Sequence, residues 1–274
     1  MQTLVFANAA KPGVGRYLEE VKAILSSRGC ACTAVYDPAG AFAAYPNGCD
    51  LCVVLGGDGT MLAAAGWASR TGTPVVGINL GRLGYMSELE PEDIPLLSRV
   101  VGSDLPAENR MMLTAEVYRE GCLLASYTAL NEIVVSRGTV TRLIDLELRC
   151  RGENVGSYRA DGIIISTPTG STAYAMSAGG PIIDPSLELI TVSAVCPHGS
   201  TFSGSMVFSP SSELEISVSS KYNGDIYITA DGRESAELFY EDTVRVKRAD
   251  TVFRLIHPKQ NSFYKTLSKK IKEK

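Results

Sequence analysis

Asp58 stands in Gly56-Gly57-Asp58-Gly59-Thr60, directly after the apolar run Leu51-Cys52-Val53-Val54-Leu55. An apolar run that breaks into glycines and resumes as an Ala-rich pattern from Met61 reads as a buried strand, a tight turn and a helix start. Glycines let the backbone turn sharply and bring bare N–H groups close to an anion. A carboxylate at the C-terminal end of a strand occupies the place where open α/β sheets put their sites. There it can take a proton from a hydroxyl or help to hold a divalent metal. The competing reading is structural, with Asp58 or Thr60 capping a helix.

Two further passages concentrate polar groups. In residues 158–185, YRADGIIISTPTGSTAYAMSAGGPIIDP, Arg159 and Asp161 precede the buried run Ile163-Ile164-Ile165, and Ser166-Thr167-Pro168-Thr169-Gly170-Ser171-Thr172 follows it. A hydroxyl-rich turn feeding a helix over 173–178 binds an anion through amides and hydroxyls. Asp161 can accept from a sugar hydroxyl and Tyr174 can stack on a base; the alternative is that the hydroxyls cap a helix and Tyr174 packs. Asn131 and Glu132 form a polar pair in a predicted strand over 128–135, which is costly if buried without partners. They are either an exposed edge pair or readers of a base or ribose, and the second reading is preferred. Asp231-Gly232-Arg233 reads as a turn after a strand. His198 and His257 are too far apart to form a metal-ligand set of known spacing. No GxSxG elbow, GxxxxGK[ST] loop or GxGxxG after the first strand occurs.

The elements carrying these residues alternate in the first part of the chain. Strand patterns fall at 3–8, 31–36, 51–55 and 74–79. Helical patterns fall at 17–27, where Leu18, Val21, Ile24 and Leu25 recur at helical spacing, from about residue 60, and at 91–101. Such alternation predicts a parallel sheet with helices on its faces. The pattern then turns to short β segments at 113–118, 126–135, 143–149, 163–166, 189–194, 214–218, 226–230 and 244–247, with turns at 119–121 and 223–225. The expected organisation is an α/β domain over 1–105, a β-rich domain over 106–256 and a tail over 257–274. In that tail a basic helix with Phe263, Leu267 and Ile271 on one stripe packs back on the N-terminal domain.

With 274 residues there is room for one large or two ordinary domains. A net charge of -4 offers no overall electrostatic case for a nucleic-acid partner. No apolar run approaches a membrane span and the first ten residues are too short for an export signal, so no membrane partner is expected. Seven cysteines are an odd count for a disulfide framework, and Cys49-x-x-Cys52 has no second pair at zinc spacing. Buried thiols in a reducing cytoplasm are the expectation, with Cys30, Cys32, Cys122 and Cys150 at core or strand positions.

Four passages in order, GGDGT at 56–60, NLGRLGY at 79–85, NE at 131–132 and RADGIIISTPTGSTAY at 159–174, resemble the NAD kinase family of bacterial type, within the diacylglycerol kinase-like and phosphofructokinase-like superfamily. The glycine turn alone is shared with diacylglycerol and sphingosine kinases; the long second-domain passage separates this family from them. The resemblance implies a phosphofructokinase-like α/β N-terminal domain with a parallel sheet, a β-rich dinucleotide-binding C-terminal domain, and a homodimer or homotetramer. It implies transfer of a phosphoryl group from ATP, with polyphosphate as a second donor to test, to the adenosine 2′-hydroxyl of NAD, assisted by Mg²⁺ or another divalent metal. Carried over by position, Asp58 is the base, and Gly57 and Gly59 cradle phosphate. Asn131, Glu132, Arg159, Thr169, Thr172, Tyr174 and Ser177 line the dinucleotide site. Asp161 reaches a ribose or nicotinamide group, often in a neighbouring subunit. Tyr85 takes the place of the family's usual phenylalanine.

Two passages depart from the family pattern. Pro197-His198 leads into residues 199–204, GSTFSG, where a TLSxRP-like sequence is customary, and Asp231-Gly232-Arg233 replaces a DGQ. Two rival readings follow: a lipid or sphingoid-base kinase of the same superfamily, which needs an apolar acceptor pocket, and a dinucleotide-binding regulatory protein that has lost catalysis, which the altered loop at 199–204 favours.

Overall fold

The computed structural model describes residues 1–101, 106–139, 143–199, 204–219, 226–259 and 262–272, without the side chain of Glu234. The turn expected at 223–225 and most of the loop at 199–204 lie outside the described residues. The chain forms two compact units, Met1–Arg110 with Thr251–Lys274, and Met111–Asp250.

In the first unit, β1 (Gln2–Ala7), α1 (Val14–Ser27), β2 (Ala31–Val35), α2 (Pro38–Ala44), β3 (Leu51–Gly56), α3 (Asp58–Thr71) and β4 (Val75–Asn79) alternate in chain order. The strands lie parallel in the order β2-β1-β3-β4, with Phe6 beside Val54 and Val54 beside Gly77. Every residue of β3 is buried, as expected of a central parallel strand covered on both faces. Leu18, Val21 and Leu25 of α1 share a core with Val53 and Ile78 of the sheet and with Leu89 and Ile94 beyond it. The helix pattern at 91–101 resolves into a 3-10 turn, Pro91–Leu96, and α4 (Leu97–Val100). Helix α2 was absent from the sequence reading, which took Asp37-Pro38 only as a strand end. The pair is also a helix start: Asp37 accepts the Gly40 N–H at 2.6 Å, and Pro38 supplies a preset φ at the first helical position.

The second unit is β-rich. It contains β5 (Ala107–Arg119, from Met111), β6 (Cys122–Ala129), β7 (Glu132–Arg137), β8 (Ile144–Cys150), β9 (Glu153–Ala160) and β10 (Gly162–Ser166). After a 3-10 turn, Thr169–Thr172, come α5 (Tyr174–Ser177), β11 (Ile190–Val195), β12 (Met206–Phe208), β13 (Leu214–Val218), β14 (Ile226–Ala230), β15 (Glu234–Leu238) and β16 (Thr243–Ile256). An antiparallel sheet runs β12-β11-β10-β7-β14-β15, while β13 pairs with both β8 and β16, and β8 with β9. Ile163, Ile165 and Ile228 share one core with Leu146, Ile216 and Val244. Burial alternates along β8, β13 and β14, the signature of a sheet with one covered face.

Three expectations are corrected here. The strand predicted over 126–135 is two strands, β6 and β7, broken at Leu130-Asn131. The helix predicted over 173–178 is only the four-residue α5 behind a 3-10 turn, because Ala173 takes a non-helical backbone. Cys122 takes a strand position as expected, opening β6, but is exposed where buried thiols were expected. All seven cysteines are free thiols. Both passages between units fall inside long strands: β5 enters the second unit at Met111, and β16 returns to the first at Thr251, where Leu255 pairs with Val75. Among the described residues no helix is long and apolar enough to cross a membrane.

The chain ends with α6 (Phe263–Lys272) in the first unit. The Phe263 ring lies 5.8 Å from that of Tyr85, and Lys270 Nζ sits 3.9 Å from the Tyr85 ring centroid. Of the anticipated stripe, Phe263 and Leu267 are half-buried, whereas Ile271 is exposed. His257, read from the sequence as structural, bonds Glu108 at 2.7 Å.

Candidate active site

In the first unit, β3 ends at Gly56, Gly57 caps α3 in an extended conformation, and Asp58 opens the helix. The positive end of the α3 dipole therefore lies at Gly57-Asp58-Gly59, an arrangement suited to phosphate. Asp58 does not cap its own helix. Its Oδ2 accepts the N–H of Tyr85 at 2.8 Å and its Oδ1 the N–H of Met86 at 3.1 Å, so the loop after β4 fixes the orientation of the carboxylate. That approach requires Gly84, where any Cβ would overlap the Asp58 carboxylate. Each carboxylate oxygen keeps lone-pair capacity beyond these bonds. Asn79, at the end of β4, is buried; its Nδ2 donates to the Gly81 carbonyl at 3.1 Å, and its Oδ1 has no hydrogen-bond partner. Asn8, at the end of β1, donates through Nδ2 to Thr60 Oγ1 at 3.2 Å. The sequence reading did not single out Asn8, although its place at a strand terminus was visible. Burial first, and then the Asp58 charge, raises the Tyr85 hydroxyl above its ordinary pKa.

In the second unit the Asn131-Glu132 pair is buried, with each residue 7% exposed, so the exposed-edge alternative falls away. The pair lies at the break between β6 and β7 rather than within a strand. Asp231 explains the break: its carboxylate accepts the N–H groups of Leu130 at 2.8 Å, Asn131 at 2.8 Å and Glu132 at 3.1 Å. The Asp231 N–H in turn donates to the Glu132 carbonyl at 3.0 Å. The passage read as a simple turn is therefore the clasp of the Asn131-Glu132 bend. The neighbouring Asp-Gly motif was the signal that could have found it.

The turn after β10 packs on the other side of this bend. Thr167 Oγ1 donates to the Leu130 carbonyl at 2.6 Å and Ser166 Oγ to the Asn131 carbonyl at 3.2 Å. A Cβ on Gly170 would overlap the same Asn131 carbonyl. Ser171 Oγ is engaged with Pro168 and Ile183, and Thr172 Oγ1 with the Thr169 carbonyl at 3.3 Å. Most of the hydroxyls read as an anion cradle are thus spent on shaping the backbone. Thr169 is buried, while Tyr174 (44% exposed) and Ser177 face solvent. Asn131 Oδ1 and Glu132 Oε2 are buried without a partner. Burial, reinforced by the Asp231 charge and opposed by the Tyr174 backbone, raises the Glu132 carboxyl to about 7.

Arg159 and Asp161 lie elsewhere in the unit. Ser166, at one end of β10, stands opposite Glu132, whereas Gly162, at the other, stands opposite Ser136. At roughly 3.3 Å per residue, the strand separates Asp161 from the Asn131-Glu132 bend by about 15 Å. Asp161 is paired with Arg137 at 2.6 Å, which holds its carboxyl below the ordinary range. Arg159 is exposed, with Nε 4.0 Å from Asp145.

A parallel α/β unit with a glycine–aspartate turn, followed in sequence by a β-rich unit with a polar bend, is the organisation of the two-domain kinases whose family models this chain matches. The crystal structure of an NAD kinase from Archaeoglobus fulgidus in complex with ATP has this fold, with a TM-score of 0.81 over 100% of both chains at 24% identity. Residues 4–102 match the ATP-NAD kinase N-terminal domain and residues 130–258 the ATP-NAD kinase C-terminal domain. The NAD kinase of Geobacter metallireducens is 40% identical over 228 residues, 83% of this chain and 80% of that protein. The NAD kinase of Geobacter sulfurreducens is 41% identical over 224 residues, 81% and 78% of the two chains. The chain belongs to the NAD kinase family.

Proposed function

We infer that this protein is an NAD kinase, which transfers the terminal phosphoryl group of ATP to NAD and forms NADP and ADP. Family membership supports the reaction. The single structural observation that carries the site assignment is the Asp58 carboxylate, held at the end of β3 by the Tyr85 and Met86 amides in the family's glycine turn. For transfer, the adenosine 2′-hydroxyl comes within hydrogen-bond reach of Asp58. Its oxygen bonds to the terminal phosphorus as its proton passes to Asp58, and the bond from that phosphorus to the ADP oxygen breaks. Gly57 and Gly59 at the start of α3 bring helix-terminal amides to the transferring group, where charge is spread over its oxygens.

Among the described residues no three His, Cys, Asp or Glu side chains cluster as an all-protein metal cage. Magnesium carried on nucleotide phosphates needs only one or two protein oxygens. Asp58 and the unpartnered Asn79 Oδ1 fit that role. Such an ion neutralises phosphate charge; the orientation of the hydroxyl remains the work of the protein.

Asn131 Oδ1 and Glu132 Oε2 are suited to accept from dinucleotide hydroxyl or amine groups, and the exposed Tyr174 ring to stack on a base. Thr169, Thr172 and Ser177 complete the lining. Arg159 and Asp161, at the far end of β10, are suited to a dinucleotide held by a second subunit, which supports a homodimer or homotetramer. Free thiols support a cytoplasmic setting. The Phe263 contact with Tyr85 supports a tail that packs on the N-terminal domain.

The test is NADP formation by the purified protein with NAD, Mg²⁺ and ATP, beside Asp58→Asn. Product in the wild type and little in the variant is expected. NAD binding without NADP formation, under ATP or polyphosphate and with Mg²⁺ or Mn²⁺, would overturn the enzyme reading and favour a regulatory dinucleotide-binding protein.

A further inference from the structure

At Leu130-Asn131, the break between β6 and β7, and at Glu132, the first residue of β7, three successive N–H groups converge on one side-chain carboxylate, that of Asp231. Converging amides of this kind ordinarily make an anion site. Here the protein supplies the anion itself, from a residue about a hundred positions away. Asp231 adopts φ +50°, a left-handed conformation unfavourable for most L-residues and best tolerated by Asn and Asp. With Gly232 at φ +64° and the Arg233 N–H donating to the Ala230 carbonyl at 3.0 Å, Asp231-Gly232 forms a tight hairpin turn of the kind that favours Asp-Gly, but its carboxylate is turned back onto the bend instead of out to solvent.

The bend ends in two side-chain acceptors, Asn131 Oδ1 and Glu132 Oε2, both buried and both without a partner. Buried polar atoms are rarely left so unless a ligand, an ion or an ordered water completes them, and here two lie on adjacent residues. We propose that Asp231 is a positioning residue for dinucleotide binding, fixing the Asn131-Glu132 bend so that these two acceptors meet donor groups of the ligand. The proposal rests on the NAD kinase reading and adds to it a residue that never touches the ligand.

Asp231 acts through charge as well as shape. Beside Glu132 stand Asp231, from the turn after β14, the Tyr174 backbone of α5 and Ser166, opposite on β10, while the Arg233 charge acts on Asp231. Burial first and the Asp231 charge second place the Glu132 carboxyl near neutrality. Asp231 is itself raised by burial, against the pull of the three amides and of Arg233. A ligand hydroxyl or amine bonds an ionised carboxylate more strongly than a protonated one. NAD affinity therefore rises with pH across neutrality, and Asp231 sets where the rise occurs.

The experiment is equilibrium NAD binding by calorimetry, with the full-length protein, from about pH 6 to about pH 8.5, alongside NADP formation. The wild-type Kd should fall about fivefold through a step near neutral pH, the scale expected of one charge-assisted hydrogen bond. Asp231→Asn removes the charge and turns an amide N–H₂ toward the bend. It should weaken binding about tenfold at pH 8 and move the remaining step to lower pH, with KM for NAD rising more than kcat falls. Glu132→Gln should abolish the step. A folded Asp231→Asn protein with the wild-type Kd at every pH would overturn the proposal. If that variant fails to fold, a step retained by Glu132→Gln, or a flat wild-type Kd, overturns it instead. Wild-type protein that neither binds NAD nor forms NADP would overturn the underlying NAD kinase reading, a distinct result.

Discussion

The backbone N–H of Tyr85 donates to Asp58 Oδ2 at 2.8 Å across 27 residues of sequence, and that of Met86 donates to Oδ1 at 3.1 Å. The carboxylate at the end of β3 is thus oriented by the loop after β4 before any substrate arrives. Such preorganisation is how positioning lowers a barrier in phosphoryl transfer, where the protein contributes little covalent chemistry. The Tyr85 side chain meanwhile meets Phe263 and Lys270 of α6, so one residue joins the C-terminal helix to the Asp58 turn.

Asp58→Asn keeps the size of the side chain but cannot take the hydroxyl proton. NADP formation should fall by about 10²–10⁴-fold in kcat, the usual worth of a general base. NAD affinity, measured by calorimetry, should stay close to that of the wild type. Unchanged turnover would remove Asp58 from the proposed role.

Gly84→Ala and Gly59→Ala should behave oppositely in stability. A Cβ at Gly84 overlaps the Asp58 carboxylate, whereas one at Gly59 meets nothing within 4 Å. The first change should destabilise by about 1–3 kcal/mol through overpacking and displace the carboxylate, with kcat falling. The second replaces glycine in a helical turn and should be neutral or stabilising by up to about 1 kcal/mol. It should still raise KM for ATP if Gly59 lies against phosphate. Thermal denaturation and steady-state kinetics on both variants check the contrast.

Glu132 links stability to pH with an unusual sign for a carboxylate. Its folded pKa, about 7, lies above the ordinary value of an unfolded glutamate. Its contribution is therefore fully present below the unfolded value and is lost as pH rises through about 7. Glu132→Gln stays neutral and avoids that loss. At pH 8 the variant should be more stable than the wild type, by on the order of 2 kcal/mol, with the advantage vanishing near pH 4. Urea denaturation at the two pH values measures it.

Asp161 has the ordinary sign. Its hydrogen bond to Arg137 holds its pKa below the unfolded value, so its contribution is present above that value and lost only as pH falls through the folded pKa. Both partners are partly exposed, and such pairs contribute little. Asp161→Ala should leave the melting temperature at pH 7 nearly unchanged. NAD affinity should nonetheless fall if Asp161 reaches a dinucleotide, and a Kd equal to that of the wild type would count against that role.

Sequence alone determined the class of each half and the place of the glycine–aspartate turn. Strands covered on both faces, such as β3, read as continuous apolar runs, and a glycine turn between such a run and an Ala-rich pattern marks a strand end and a helix start. These are local signals set by burial and backbone sterics. Helix α2 was missed because Asp37-Pro38 carries two meanings; β12 has only three residues, and β9 and β15 are too polar for an apolar alternation to show. What the fold decided is everything that depends on pairing between distant residues. Asp58 is aimed by Tyr85 and Met86. The Asn131-Glu132 bend is held by Asp231, whose carboxylate accepts the N–H groups of Leu130, Asn131 and Glu132. The hydroxyls of Ser166, Thr167 and Ser171 turn inward to shape the backbone. Arg159 and Asp161 are contiguous in sequence with the Thr169–Tyr174 passage but are held away from it by the full length of β10. No sequence period encodes a hydrogen bond between residues a hundred positions apart; burial of the backbone between them decides which carboxylate satisfies which amides.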